Sequence, residues 1–433
     1  MDLTWRDFYR SPYLLFLPFM LVVGLYVELA PLWMPDRVFL HENILNNAHD
    51  TVLFATACLG GTAAYFLLLP LRKGELWLVF VVGGILEALL ISHRLQFVGP
   101  WGQLLQIGPG LIVGVILAIL WRLVSHWRLR DGAQFKRTLE ILGLTLAMPF
   151  FLTAGTTQLH SDLYVYDPHC YALDSLWGFQ PSFVITKPLR SFQAVRVFMY
   201  IIYFFLSLWM MLAQVVVFKE NEEAHISHWR RLVPAIFFAL IACFGGLSYE
   251  FVPAVGTDVY CGSNLFPNGP WIPPNPDPQP VQAPPIFPRS TIPSLHLGWI
   301  LSVYYSLYLS RSLYRHIALG LVILTAFSTF SVGSHWLLDL ILACPFTVAI
   351  LALCAVDAPA KLRWLIGSSL AILFCLGVYL LKFHTPLLMA HRGYTLTGFI
   401  LTVLVSLYLG RLISEARAPK VLSPQERSPQ EGV

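Results

Sequence analysis

Ser328-Thr-Phe-Ser-Val-Gly-Ser-His-Trp-Leu-Leu-Asp339 is a polar interruption between two long apolar runs, 316–334 and 336–356. Each run can cross the roughly 30 Å hydrocarbon core of a bilayer at about 1.5 Å per residue. His335 and Asp339 therefore fall where the chain leaves one crossing and begins the next. Outward in both directions the pattern recurs: apolar runs bounded by charge, Pro or Gly lie near 13–34, 51–71, 76–92, 103–124, 139–157, 194–217, 232–252, 293–310, 362–381 and 395–413. Together they predict an all-α polytopic transmembrane bundle of about twelve helices. Composition agrees, since the 433 residues are 57% hydrophobic and only 12% charged, with a mean hydropathy of +0.66. The positive charge is scattered among loops and forms no basic face, which argues against a nucleic-acid partner.

Orientation follows from Lys and Arg, which cytoplasmic loops retain. One alternate set of segments holds Arg72, Lys73, Arg122, Arg128, Arg130, Lys136, Arg137, Lys219, Arg230, Arg231, Arg311, Arg315, Lys361 and Arg363; the other set is poorer. Both termini are accordingly expected in the cytoplasm, behind an N-terminal interfacial anchor at Trp5, Arg6, Phe8, Tyr9 and Arg10. The long loops 158–193 and 253–292 then lie outside, the second being a proline-dense spacer or lid. Cys170 and Cys261 share that side, which leaves a disulfide open, while Cys58, Cys243, Cys344, Cys354 and Cys375 sit in apolar runs as packing residues. No Asn-x-Ser/Thr sequon occurs, which favours a bacterial inner membrane. The tail 416–433 is polar and expected to be disordered.

Between Pro293-Ser-Leu-His296 and His335 lie two expected helices and the basic turn of Arg311 and Arg315, so both imidazoles reach the same outer face. Asp339 follows His335 by four residues. On a helix that spacing puts the carboxylate on the imidazole's face, where it fixes the tautomer and stabilises an imidazolium. A carboxylate so close to hydrocarbon needs such a partner, and structural pairing is the plainer alternative to function. Pro-Ser-x-His at the start of a helix offers backbone N–H groups and the Ser294 hydroxyl to a phosphate oxyanion. Zinc is the rival reading of two His and one Asp, disfavoured because no further His or Cys stands at ligand spacing. The phosphoryl reading needs no metal or other cofactor.

These motifs resemble the type 2 phosphatidic acid phosphatase superfamily, whose signatures are K-x6-R-P, P-S-G-H and S-R-x5-H-x3-D. Pro293-Ser294-Leu295-His296 resembles the second signature, and Ser328 with His335 and Asp339 the third. The resemblance implies His335 as nucleophile, Asp339 as its orienter, His296 as general acid, and a six-helix core. That core maps onto 139–356, leaving helices in 1–138 before it and two helices in 357–415 after it. Leu295 stands in the place of the motif glycine, Thr329 in that of the arginine, and no K-x6-R-P lies upstream. Replacement cations for the phosphate are Arg289, Lys187 and Arg190, each with a plain loop or headgroup charge as its competing account. Pro-Ser-Leu-His followed by His-aromatic-x-x-Asp, with Tyr249 to Pro253, resembles the branch of inositol phosphorylceramide synthases.

The expected function is thus a lipid phosphotransferase or phosphatase, its partners a lipid phosphate or phospholipid and an acceptor that is water, another lipid or an alcohol. Polyprenyl diphosphate or phosphatidic acid hydrolysis is one alternative; a non-catalytic transporter or scaffold is another. Glu28, Glu87 and Arg196 could line a polar path in a transporter, helix pairing being the duller role. Lys382, His384, His391 and Arg392 form a further outer basic cluster, which reads as a headgroup contact or an interfacial anchor.

Overall fold

The structure, a computed structural model, describes residues 48–94, 107–156, 164–223, 228–249, 251–262, 265–269, 272–282 and 292–417. The expected span 13–34, Glu28, Arg289 and residues 418–433 lie outside the described residues. Helices come first: α1 (Ala48–Leu68), α2 (Lys73–Trp77), a wide turn at Leu78–Val82 leading into α3 (Gly83–Arg94), α4 (Pro109–Arg128) and α5 (Gly132–Thr156). A linking segment carries β1 (Tyr164–Val165), α6 (Asp167–Asp174) and α7 (Pro181–Ser191). After it run α8 (Gln193–Phe204), α9 (Leu206–Glu223) and α10 (His228–Tyr249). A second linking segment holds α11 (Thr257–Cys261) and β2 (Val281–Gln282), and α12 (Leu295–Ser306), α13 (Ser312–Val332), α14 (Leu337–Cys354), α15 (Ala360–Ala390) and α16 (Arg392–Ala416) complete the order.

Every expected run from 51–71 to 395–413 overlaps helix. Among the described residues α4, α13, α14, α15 and α16 are long and apolar enough to cross a membrane, and a sixth crossing arises if α8 and α9, bent by 53°, count as one. The protein is a mostly helical integral membrane protein.

α14 is the axis of the second half, with 89% of its most apolar window buried against 22% for α15 and 17% for α16. An apolar sequence on all faces of a helix suits such a central place. α10, α12, α15 and α16 pack around it, whereas α1, α4 and α5 form the first half and join the rest through α9 and α10. Glu87 settles into the helix-pairing role: its carboxylate accepts from the N–H groups of Gly108, Gly110 and Leu111 and so caps the start of α4. Arg196 is exposed on α8.

The two long loops meet. Tyr164 pairs with Gln282 and Val165 with Val281 in a small antiparallel ladder, and the Tyr171 hydroxyl donates to the Ile272 carbonyl at 2.6 Å. Beneath them a second apolar cluster gathers Cys170, Leu173, Leu176, Val252, Ala254, Ile292, Trp336 and Leu338. Cys261 packs against the same cluster as Cys170, yet both are free thiols. Burial pushes the Cys261 thiol up to about 12 and raises Cys170 well above its ordinary value, so neither supplies a thiolate near neutral pH.

Candidate active site

His296 lies in the first turn of α12 and His335 just before α14, and the return through α13 brings both to one end of the bundle. Ser294 is the N-cap of α12, its hydroxyl accepting from the Leu297 N–H at 3.4 Å. Gly333 closes α13 at φ +84°, the left-handed conformation that helix ends favour. The next three residues run extended into α14, whose first turn holds Asp339.

The imidazole rings of His296 and His335 are 5.8 Å apart between centroids, though 39 positions separate them in the chain. His335 Nδ1 meets Asp339 Oδ2 at 3.3 Å, a long contact of the expected pairing. The same oxygen accepts from the Trp336 N–H at 2.8 Å, so Asp339 also caps the helix that carries it. Tyr203 of α8 stacks on His296 with 3.8 Å between ring centroids, which fixes the plane of that imidazole. Asp339 is fully buried, His335 2% exposed and His296 8% exposed.

Two further carboxylates, unnoticed in the sequence, hold this turn. Asp174 accepts from the Leu337 and Leu338 N–H groups at 2.8 and 3.1 Å, satisfying the open donors at the start of α14. Asp167 accepts from the Trp336 indole at 2.9 Å and from the Val255 and Gly256 N–H groups at 2.9 Å. Seven residues apart, they share one face of α6, which is the signal that could have found them. Burial raises the Asp174 carboxyl to about 7 and the Asp167 carboxyl to about 6, against the hydrogen bonds that lower both. Gly256 is required here: at φ +86° it lies so close to Ser334 that a Cβ would come within 2.5 Å of the Ser334 carbonyl oxygen.

The candidate phosphate ligands divide. Ser294 is buried at the turn beside His296. Arg190 reaches the site's edge from α7: its Nε donates to Ser331 O at 2.6 Å and its Nη2 to Val332 O at 2.8 Å, while Nη1 lies 3.5 Å from Asp258. With Thr186, which donates to Phe330 O at 2.7 Å, it closes the carbonyl end of α13. Lys187, on the neighbouring face of α7, is exposed.

The departures from the motifs have local causes. Leu295, in the place of the glycine, packs onto Gly245 of α10, where a Cβ would overlap its side chain. Thr329, in the place of the arginine, is buried and returns its hydroxyl to Ala326 O at 2.8 Å. Arg190, arriving from another helix, puts a guanidinium two residues further along the same strand of backbone.

Residues 169–355 match the family model of the PAP2 superfamily. The match takes in both histidines, Asp339, Asp174 and Arg190, and points to phosphatase-type chemistry on a phosphorylated substrate. No curated protein and no solved structure matches the chain.

Proposed function

We propose that the protein cleaves a lipid-linked phosphate through a histidine nucleophile and passes the phosphoryl unit to water or to an alcohol. The observation that carries this reading is the approach of two imidazoles from separate helices, one of them backed by a buried carboxylate. With Nδ1–H of His335 donated to Asp339, the lone pair resides on Nε2. Nε2 attacks phosphorus in line, the N–P bond forms as the P–O bond to the leaving group breaks, and His296 gives that oxygen its proton. In the second half the acceptor hydroxyl yields its proton to His296, its oxygen bonds to phosphorus, and His335 departs as a neutral imidazole. The N–H groups at the start of α12, Ser294 and the Arg190 guanidinium are the groups proposed to hold the phosphate oxygens, with Arg289 and Lys187 as outer cations.

In this reading both termini are cytoplasmic, the site faces the opposite side, and residues 139–356 form a six-helix catalytic core within a chain of about twelve crossings; the Lys and Arg bias of the loops supports it. A second reading, transfer of a phosphorylated headgroup to another lipid as in inositol phosphorylceramide synthases, is favoured by Leu295. Its buried apolar side chain lies where the motif has a glycine and packs on Gly245 of α10, a substitution shared with that branch. The test is an assay of the purified protein with phosphatidic acid, polyprenyl diphosphate and phosphatidylinositol, each with and without ceramide. Phosphate released without ceramide supports hydrolysis, and a new phosphodiester formed only with it supports transfer. Substrate flux in a His335→Ala protein equal to that of the wild type would favour a transporter and end the enzymatic reading.

A further inference from the structure

α14, α15 and α16 enclose a groove of about 610 Å³, lined by Leu338, Leu342, Gly377, Leu381, Gly398 and Phe399 among other apolar groups. The volume suits a ligand-sized occupant, which typically takes roughly 300–1,000 Å³. Two of its walls, α15 and α16, lie beyond the residues matched by the family model. We propose that this groove holds one hydrocarbon chain of the lipid whose phosphate is cleaved at His335, an assignment that rests on the function proposed above.

Four observations select that occupant. The walls are helices long and apolar enough to cross a membrane, where what enters from the side is hydrocarbon. Along α16 the lining runs from His391 to Thr402; at about 1.5 Å per residue this is about 16 Å, close to half of the roughly 30 Å hydrocarbon core and hence to one leaflet. The mouth is polar and basic: His391, Tyr394 and Thr395 line it, and the Arg392 guanidinium sits beside Gly178, an arrangement that fits an anionic headgroup and no apolar partner helix. The groove also abuts the turn that carries His335. Leu173 and Leu338 line the groove, their neighbours Asp174 and Asp339 hold the His335 turn, and Asp174 accepts from the Leu338 N–H itself.

Two glycines shape the space differently. A Cβ on Gly377 would overlap Leu342, which marks close contact of α15 with α14, whereas a Cβ on Gly398 would meet nothing within 4 Å. At the mouth α15 bends, His384 leaving helical geometry at φ −133° and ψ 22° ahead of Pro386.

Gly398→Trp therefore adds bulk at a lining position where the first side-chain atom meets no neighbour. Full-length protein in nanodiscs is given dioleoyl and dihexanoyl phosphatidic acid, and is separately photolabelled with phosphatidic acid or phosphatidylcholine carrying a diazirine in the acyl chain. We expect Gly398→Trp to raise KM for the dioleoyl substrate about tenfold or more, the loss of a few buried methylenes, with the dihexanoyl substrate unaffected. Adducts should map to α14, α15 and α16, favour phosphatidic acid over phosphatidylcholine, and disappear in the variant. Equal labelling by the two lipids would mean a general lipid-filled seam and overturn the proposal, as would equal losses on both substrates or adducts located elsewhere. Labelling needs no turnover, so a catalytically competent His335→Ala protein would refute the site reading while the adduct map still decided the groove.

Discussion

Two buried clusters of ionisable groups stand in the two halves of the molecule. In the first half Glu75 and Arg122, each 2% exposed, form an ion pair, with Arg122 Nε donating to Glu75 Oε1 at 2.6 Å and the Tyr65 hydroxyl to Oε2 at 2.9 Å. Arg122 also donates to the Pro70 carbonyl. In the second half the three carboxylates of Asp167, Asp174 and Asp339 grip backbone N–H groups, an indole and an imidazole. The first cluster closes its charge on itself, which suits a joint between helices. The second spends its carboxylates on the shape of one turn, and that turn holds the His335 imidazole beside that of His296 on α12.

The contrast is sharpest in turnover. His335→Ala should abolish substrate cleavage, while Glu75→Gln, compared per folded molecule, should cleave at the wild-type rate; an assay of both variants in one detergent decides it. Equal loss in the two would erase the distinction between site and joint. His296→Ala should lower kcat by about 10²–10⁴, the range for a general acid. In the first turnover most of that loss should vanish with a p-nitrophenyl leaving group, which departs without a proton, so that p-nitrophenol appears in a burst ahead of slow dephosphorylation; an equal loss of the first-turnover rate on both substrates would remove His296 from the acid role.

Stability inverts the comparison. Glu75→Ala leaves a guanidinium buried beside a phenol and should cost about 3–5 kcal/mol, and the double variant Glu75→Leu with Arg122→Met should recover most of it. Thermal melting in detergent checks this, and a melting temperature unchanged in Glu75→Ala would mean that the pair carries little.

The smallest effect concerns pH. Burial raises the Asp174 carboxyl to about 7 from an ordinary 3.8, so between these values the folded protein keeps a proton that the unfolded chain has released. This contribution to stability is fully present below about pH 4 and is lost as pH rises through 7. The melting temperature should accordingly fall over that interval, with Asp167, at about 6, adding to the trend. Asp174→Asn should flatten the profile; an unaltered slope would show that another group dominates.

Much of this was legible in the sequence because hydrocarbon imposes length. Runs such as 336–356 and 395–413 overlap α14 and α16 since about twenty apolar residues have few other uses. His296, His335 and Asp339 stood out for the same reason, being polar groups at the edges of such runs. Asp167 and Asp174 did not, because in a loop a carboxylate is ordinary, and only the fold of α6 against α14 makes Asp174 a cap and brings Asp167 to the Trp336 indole. Tyr203 was hidden among the aromatics of α8, where nothing in the spacing marks the one that stacks on His296. In the sequence Arg190 is one loop cation among several, and only the fold reveals that it also closes α13.

The claim on which the rest depends is that phosphorus becomes bonded to His335. Protein mixed with ³²P-labelled lipid phosphate, quenched within milliseconds in alkali and digested, should yield one labelled peptide containing His335, absent from His335→Ala and accumulating in His296→Ala when the substrate has a p-nitrophenyl leaving group. Steady turnover of the same substrate with no label on that histidine at any time would contradict the account.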